Sequence, residues 1–308
     1  MDFLSYLKEH IVVFDGAFGT MLQKSAKNIG TVPELLNLER PELIAEIHRA
    51  YAKAGADVIT ANTFGANEKK TGSAALSEKL IKAAVDIARK EAGGRFVALD
   101  IGPVGQLLEP MGSLTFGEAY EIFARQMQAG KGADLILIET MTDLAELKAA
   151  LLAARETTDL PVLCSMTFEQ NGRTFTGCAA DCFALTASPL ADAVGVNCSL
   201  GPKQLLPVVK TILENTEKPV IVQANAGLPD ENFNYNVSAD EFADSYKEML
   251  GMGVRDVGGC CGTTPEYIKK LRALTDGTAP APSPFRRRSA VCSARRLVAI
   301  DGVRVIGE

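Results

Sequence analysis

The stretch AKAGADVIT, residues 52–60, joins two patterns at one glycine. Before Gly55, PELIAEIHRAYAKAG (41–55) repeats apolar residues at three- and four-residue steps, the stripe of an amphipathic helix. After it, DVITANTF (57–64) opens as a short apolar run, as expected of a strand covered on both faces. Glycine ends helices because it enters the left-handed region without a steric penalty. The same join returns in QAGKGADLILI (128–138) and LGMGVRDVGG (250–259). Working outward, strands are expected at VVFDGA (12–17), DVITANTF, FVALDIG (96–102), LILIET (135–140), VLCSMTF (162–168), AVGVNCS (193–199), VIVQANAG (220–227) and DVGGCCG (256–262). Helical patterns such as ALSEKLIKAAVDIARKEAG (75–93) and DLAELKAALLAARETT (143–158) lie between most of them. Thr115 with Glu118, Ser238 with Glu241, and Thr264-Pro265 mark helix starts. Eight strands alternating with about eight helices predict an α/β fold, a (β/α)8 or TIM barrel over residues 1–276. An open doubly wound sheet would need G-x-G-x-x-G after its first strand, which DGAFGT (15–20) does not supply.

Past Asp276 the composition changes. GTAPAPSPFRRRS (277–289) is rich in proline and arginine, so residues 277–296 read as a linker. Residues 297–308, LVAI-DG-VRVIGE, read as a β-hairpin turning at Asp301-Gly302. A lone hairpin is barely stable in water, so this end is expected to open a further domain. The overall charge of −6 argues against a nucleic-acid surface, although residues 280–308 carry six arginines against Asp301 and Glu308. The opening MDFLSYLKEHIVVFDGAFG has no basic segment followed by an apolar run, and no apolar span of about 20 residues occurs. Neither export nor a membrane partner is expected, and seven cysteines are then expected as reduced thiols in the cytoplasm.

Active sites of such barrels gather at the C-terminal strand ends. Read in order, those ends supply Asp15, Asn62 with Thr63, Asp100, Glu139, Thr167, Asn197 with Cys198, Asn225, and Cys260 with Cys261. The adjacent Cys260 and Cys261 make a poor disulfide, because neighbouring α-carbons lie about 3.8 Å apart, below the usual bridge range. A tight buried corner or a pair of metal ligands remains. Cys198, one strand removed, favours the metal: three thiolates suit Zn²⁺ and leave its fourth tetrahedral position open. The flanking glycines are expected to turn the chain so that both neighbouring sulfurs face one ion. A three-thiolate zinc is a weak acid towards water but suits a substrate thiol, whose proton it expels. That chemistry is thiol alkylation.

Asp15 and Glu139 are expected to receive a substrate ammonium, and the backbone amides of Ala17, Phe18, Gly19 and Thr20 its carboxylate. Asp100 either joins them or braces a loop. Cys164 is expected in the core, Cys178 and Cys182 in a loop-to-helix segment, and Cys292 in the linker. His10 and His48 are expected as surface or packing residues. A closed structural metal site would need a fourth rim cysteine, and a hard-metal aldolase or lyase would need rim histidines; neither is available.

DGAFGT (15–20), ANTFGAN (61–67), DIGPVG (100–105), Glu139-Thr140, GVNCSLGP (195–202) and GGCCGTTPEYI (258–268) together resemble the homocysteine S-methyltransferase family over about residues 5–275. Within it, ELKAALLAARE, SMTF, GVNCSLGP and the tail VIGE are most similar to the N-terminal homocysteine-binding module of cobalamin-dependent methionine synthases. The resemblance implies Zn²⁺ on Cys198, Cys260 and Cys261, homocysteine sulfur as the fourth ligand, and an Asn225 oxygen near the metal when substrate is absent. It implies methylcobalamin, carried by another module, as methyl donor, with a methyltetrahydrofolate-binding module beside it. Residues 297–308 would then begin that pterin-binding domain. Other members of the family use betaine, S-methylmethionine or S-adenosylmethionine, so a self-contained enzyme with a small donor is the alternative.

Overall fold

The structure, a computed structural model, describes residues 2–25, 30–231 and 234–303. Eight parallel strands form its centre: β1 (Val12–Val13), β2 (Val58–Thr60), β3 (Phe96–Ile101), β4 (Leu135–Met141), β5 (Val162–Met166), β6 (Ala193–Asn197), β7 (Val220–Ala224) and β8 (Asp256–Gly259). They pair in the order β1-β8-β7-β6-β5-β4-β3-β2. A parallel bridge between Phe14 and Val58 joins the two ends, closing the sheet into the expected (β/α)8 barrel.

Two layers of apolar packing account for the near-continuous apolar strands. Val12, Phe14, Val58, Ala98, Leu135, Leu137, Leu163, Ala193 and Ile221 fill the barrel interior, and Phe3 and Leu7 plug its N-terminal end. Those two residues belong to the helix Phe3–Glu9, which the sequence reading did not anticipate; Asp2 caps it by accepting from the Ser5 amide at 3.0 Å. A larger core lies between the strands and the outer helices, including Pro41–Ala54, Ala74–Glu91 and Leu144–Thr157. No helix among the described residues is long and apolar enough to cross a membrane.

The joins behave as their physics requires, with one refinement. Gly55 caps its helix in the left-handed region at φ 99°. In the other two joins it is the second glycine that turns left-handed, Gly132 at φ 111° and Gly253 at φ 107°. Thr115 and Glu118 form a reciprocal capping box, and Ser238 accepts from the Glu241 amide at 3.3 Å. Thr264 stands at its N-cap without a side-chain bond.

Part of the expected linker is a strand. β9 (Ala290–Cys292) pairs antiparallel with β10 (Leu297–Ala299), forming a ribbon that turns at residues 293–296. The second arm of the expected hairpin lies mostly at residues 304–308, outside the described residues. The ribbon is also held to the barrel. Arg288 donates to Asn215 Oδ1 at 2.6 Å, and the Ala179 amide to Ala294 O at 3.0 Å. Arg173 reaches Arg295 O at 3.3 Å. Cys292 and Leu297 pack against the outer core. The covering explains the helix Ala180–Ala187, whose sequence ADCFALTA has almost no polar face to offer water.

Candidate active site

Where the apolar interior ends, the next inward residues turn polar. A two-residue step takes Val58 to Thr60, Ala98 to Asp100, Leu137 to Glu139, Leu163 to Ser165 and Ile221 to Gln223. Above them lies a cavity of about 290 Å³, lined at one end by Cys198, Cys260 and Cys261 and elsewhere by Asp15, Asp100, Glu139 and residues 16–20.

The three sulfurs lie within 4.8 Å of one another, with Cys198 and Cys261 Sγ 3.9 Å apart. A tetrahedral ion with metal–sulfur bonds of about 2.3 Å separates its sulfurs by about 3.8 Å, so the trio fits zinc in size and donor chemistry. Strand ends are stitched to bring them there. The Cys198 amide donates to Gln223 O at 3.0 Å, the Cys260 amide to Ala224 O at 2.8 Å, and the Ala226 amide to Cys261 O at 2.9 Å. The flanking glycines act differently from expectation. Gly258 and Gly259 permit close approach: a Cβ on Gly258 would meet Phe14 Cβ at 2.9 Å, and one on Gly259 the Thr263 side chain at 2.4 Å. Only Gly262 of this group is left-handed, at φ 82°. The backbone twist that aims a sulfur lies instead on non-glycine residues, Cys198 and Ser199, both at φ 62°. Such residues cost about 1–3 kcal/mol and concentrate at functional sites.

Hydrogen bonds from Cys198 and Cys260, with a further one from Tyr235, hold the Cys261 thiol well below its ordinary range despite burial. Bonds to Cys198 and Cys261, then burial, push the Cys260 thiol well above that range. Tyr235, which sequence reasoning missed, sits in the loop after β7; only its left-handed glycine partner Gly262, whose missing Cβ would strike the ring at 2.3 Å, hinted at a close neighbour.

Asp15 is 3% exposed and accepts from the Thr60 amide and hydroxyl, both at 2.7 Å. Burial pushes its carboxyl up to about 7. Burial, then the charges of Asp15 and Cys261, push Glu139 up to about 8. Asp100 is held well above the carboxylate range by burial and by Glu139, and its Oδ1 has no partner. A further carboxylate missed in the sequence, the buried Glu34, lines the same cavity and accepts from the Gly65 amide at 2.5 Å. It precedes the barrel's first covering helix rather than ending a strand, so no strand-end rule could find it.

Phe18, Gly19 and Thr20 begin the helix Phe18–Ser25, whose first amides have no partner within the helix and point a positive dipole end into the cavity. Ala17 lines the cavity too, but its amide is engaged by Thr263 Oγ1 at 3.1 Å. Asn225 is buried behind the lining, with Oδ1 unpartnered and its amide bonded to Leu200 O at 3.0 Å. His48 is fully buried, with neither ring nitrogen partnered, and packs beside Phe18. His10 stacks on Tyr6 at the surface. Neither joins the cavity.

Residues 12–275 match the family described as homocysteine S-methyltransferase. Methionine synthase of Mycobacterium leprae (strain TN) is 33% identical over 312 residues, which cover 91% of this chain and 26% of that protein. Methionine synthase of Mycobacterium tuberculosis (strain ATCC 25618 / H37Rv) is 34% identical over 301 residues, covering 88% and 25%. The chain thus spans about a quarter of the length of these curated relatives. In fold it is similar to the homocysteine methyltransferase MmuM of Escherichia coli in its metallated form, with a TM-score of 0.75 at 24% identity over 86% of this chain and 96% of that one.

Proposed function

The chain belongs to the homocysteine S-methyltransferase family, and we propose that it methylates the sulfur of homocysteine to give methionine, with Cys198, Cys260 and Cys261 holding a zinc ion beside the substrate thiol. The observation that carries this reading is one cavity with two chemically distinct parts, three converging sulfurs in one and buried carboxylates beside a helix N-terminus in the other.

The residues divide the work by charge. Asp15 and Glu139 take the ammonium group, and the cation in turn draws their raised carboxyls towards the ionised form. The amides of Phe18, Gly19 and Thr20 take the carboxylate, where helix-end dipoles favour an anion. The sulfur chain then extends towards Cys198, Cys260 and Cys261. When bound there, zinc supplies the charge that strips the substrate thiol of its proton and keeps the sulfur nucleophilic near neutral pH. Asp100 lines the same cavity with Oδ1 unpartnered, and Asn225 lies behind the lining with an oxygen to spare.

As methyl donor we propose methylcobalamin carried by another module, with a methyltetrahydrofolate-binding module as a further partner. The motif resemblance and the names and greater length of the curated relatives support this choice. Residues 1–276 would be the catalytic barrel and residues 297–308 the approach to the pterin-binding module.

The direct test is elemental analysis of bound zinc, followed by proton release on adding homocysteine. One zinc per chain, with a proton released near neutral pH, is expected. Zinc indifferent to homocysteine would sink the reading. Methyl transfer from free methylcobalamin, compared with betaine, S-methylmethionine and S-adenosylmethionine, then separates the donors.

A further inference from the structure

One buried carboxamide touches both parts of this cavity. Asn197 ends β6 with no exposed surface. Its Oδ1 accepts from the Thr140 amide at 2.8 Å and from the Ser165 hydroxyl at 2.7 Å. The main-chain amide can only donate, so this bond fixes which side-chain atom is oxygen. Nδ2 then donates to Thr140 Oγ1 at 2.8 Å and to Glu139 Oε2 at 3.3 Å, and lies 4.0 Å from Cys260 Sγ. A carboxamide nitrogen has two hydrogens. Thr140 Oγ1 takes one. The other faces both the Glu139 carboxylate and the Cys260 sulfur.

Two twisted strand ends meet at this side chain. Thr140, directly after Glu139, is left-handed at φ 60°, and Asn197 grips it through both its amide and its hydroxyl. Cys198, directly after Asn197, is left-handed at φ 62°. Neither threonine nor cysteine enters this region readily. A single side chain therefore braces the backbone that carries the carboxylate and the backbone that carries a sulfur.

We propose that Asn197 is a positioning residue that couples the two parts of the cavity through the hydrogen shared by Glu139 and Cys260; the proposal rests on the homocysteine reading above. When the substrate ammonium occupies Glu139, the hydrogen is released to Cys260, and the sulfur site is supported best with the amino acid in place. A thiol without the amino group leaves that hydrogen on Glu139. Preference for the α-amino thiol then runs through Asn197 as well as through the carboxylate itself.

The test uses the whole chain as wild type, Asn197→Ser, Asn197→Thr and Ser165→Ala. Zinc affinity is measured by competition with a chromophoric chelator. Thiol binding is measured by calorimetry with homocysteine and with 4-sulfanylbutanoate, the same chain lacking the amino group. Both Asn197 variants are expected to lose about 10–100-fold in zinc affinity, the usual cost of removing a group that orients metal ligands. Their preference for homocysteine over the amino-free thiol is expected to shrink about tenfold. Ser165→Ala keeps every Nδ2 donor and is expected to stay within about threefold of wild type in both. A merely structural role would lower the melting temperature and leave the thiol preference unchanged. That outcome, or wild-type values in whichever Asn197 variant folds, overturns the proposal. Wild-type protein that fails to bind homocysteine would overturn the substrate reading and the coupling with it, a result distinct from binding that the variants retain in full.

Discussion

Cys198, Cys260 and Cys261 face one another across the top of the barrel, whereas Cys178, Cys182 and Cys292 meet on its outer side, where the ribbon crosses the helix Ala180–Ala187. In the outer group two of the thiols are engaged by oxygens rather than by one another. Cys178 Sγ donates to Ala179 O at 3.5 Å, and Cys292 Sγ lies 3.8 Å from Cys182 O and 3.5 Å from Thr186 Oγ1. Burial pushes Cys178 and Cys182 up to about 12, so both stay protonated and inert. In the rim group the sulfurs are each other's partners, two strained residues help to aim them, and a cavity opens beside them. The contrast separates sulfur that packs from sulfur that can act: convergence on a shared, reachable volume matters more than the number of thiols. The hardest blow to this contrast comes from Cys198→Ser. It is expected to lose bound zinc and to lower turnover about a thousandfold, roughly 4 kcal/mol at 1.4 kcal/mol per tenfold, while circular dichroism shows the barrel intact. Stoichiometric zinc with full turnover would erase the distinction.

Acidity sharpens the comparison, because only the rim group sits among buried carboxylates. Asp15 rises to about 7 and Glu139 to about 8 through burial. Between the ordinary carboxyl range and these values the folded protein keeps protons that the unfolded chain has released. Stability therefore falls as pH rises from about 4 to about 8. Asp15→Asn removes one such group, and the stability lost between pH 5 and pH 8 should shrink by about 2 kcal/mol, read from urea unfolding at both values. An unchanged slope would show that Asp15 ionises as freely as in the unfolded chain.

The fold was legible because the barrel strands are short apolar runs and three of the helix-to-strand joins turn at a left-handed glycine, as in AKAGADVIT. The rim was legible for a related reason. A polar residue that breaks an apolar strand run at its C-terminal end, as Glu139 and Cys260 do, stands out against its neighbours. What stayed hidden has no such contrast. Glu34 lies in PELLNLERPE, an ordinary helical opening, and Tyr235 lies in a loop, its ring packed close to Gly262. Asn197 was visible as a strand end, but its side-chain hydrogen bonds join strands that are distant in sequence. The strand Ala290–Cys292 was hidden within the expected linker, because its pairing with Leu297–Ala299 and its apolar cover on the outer core come from contacts that a proline- and arginine-rich composition does not signal.

The outer cysteines yield the smallest effect and the last test. Cys292 is partly exposed, and its sulfur makes two long polar contacts with the helix, to Cys182 O and to Thr186 Oγ1. Serine in its place is slightly smaller and can still donate to that carbonyl. Cys292→Ser should cost less than about 1 kcal/mol, a fall of a few degrees at most in melting temperature for a chain of this size. Zinc content and homocysteine affinity should not change, because Cys292 is not among the residues that line the cavity. A loss of zinc comparable with that of Cys198→Ser would mean that the ribbon transmits to the rim, and the two groups of thiols would have to be read as one system.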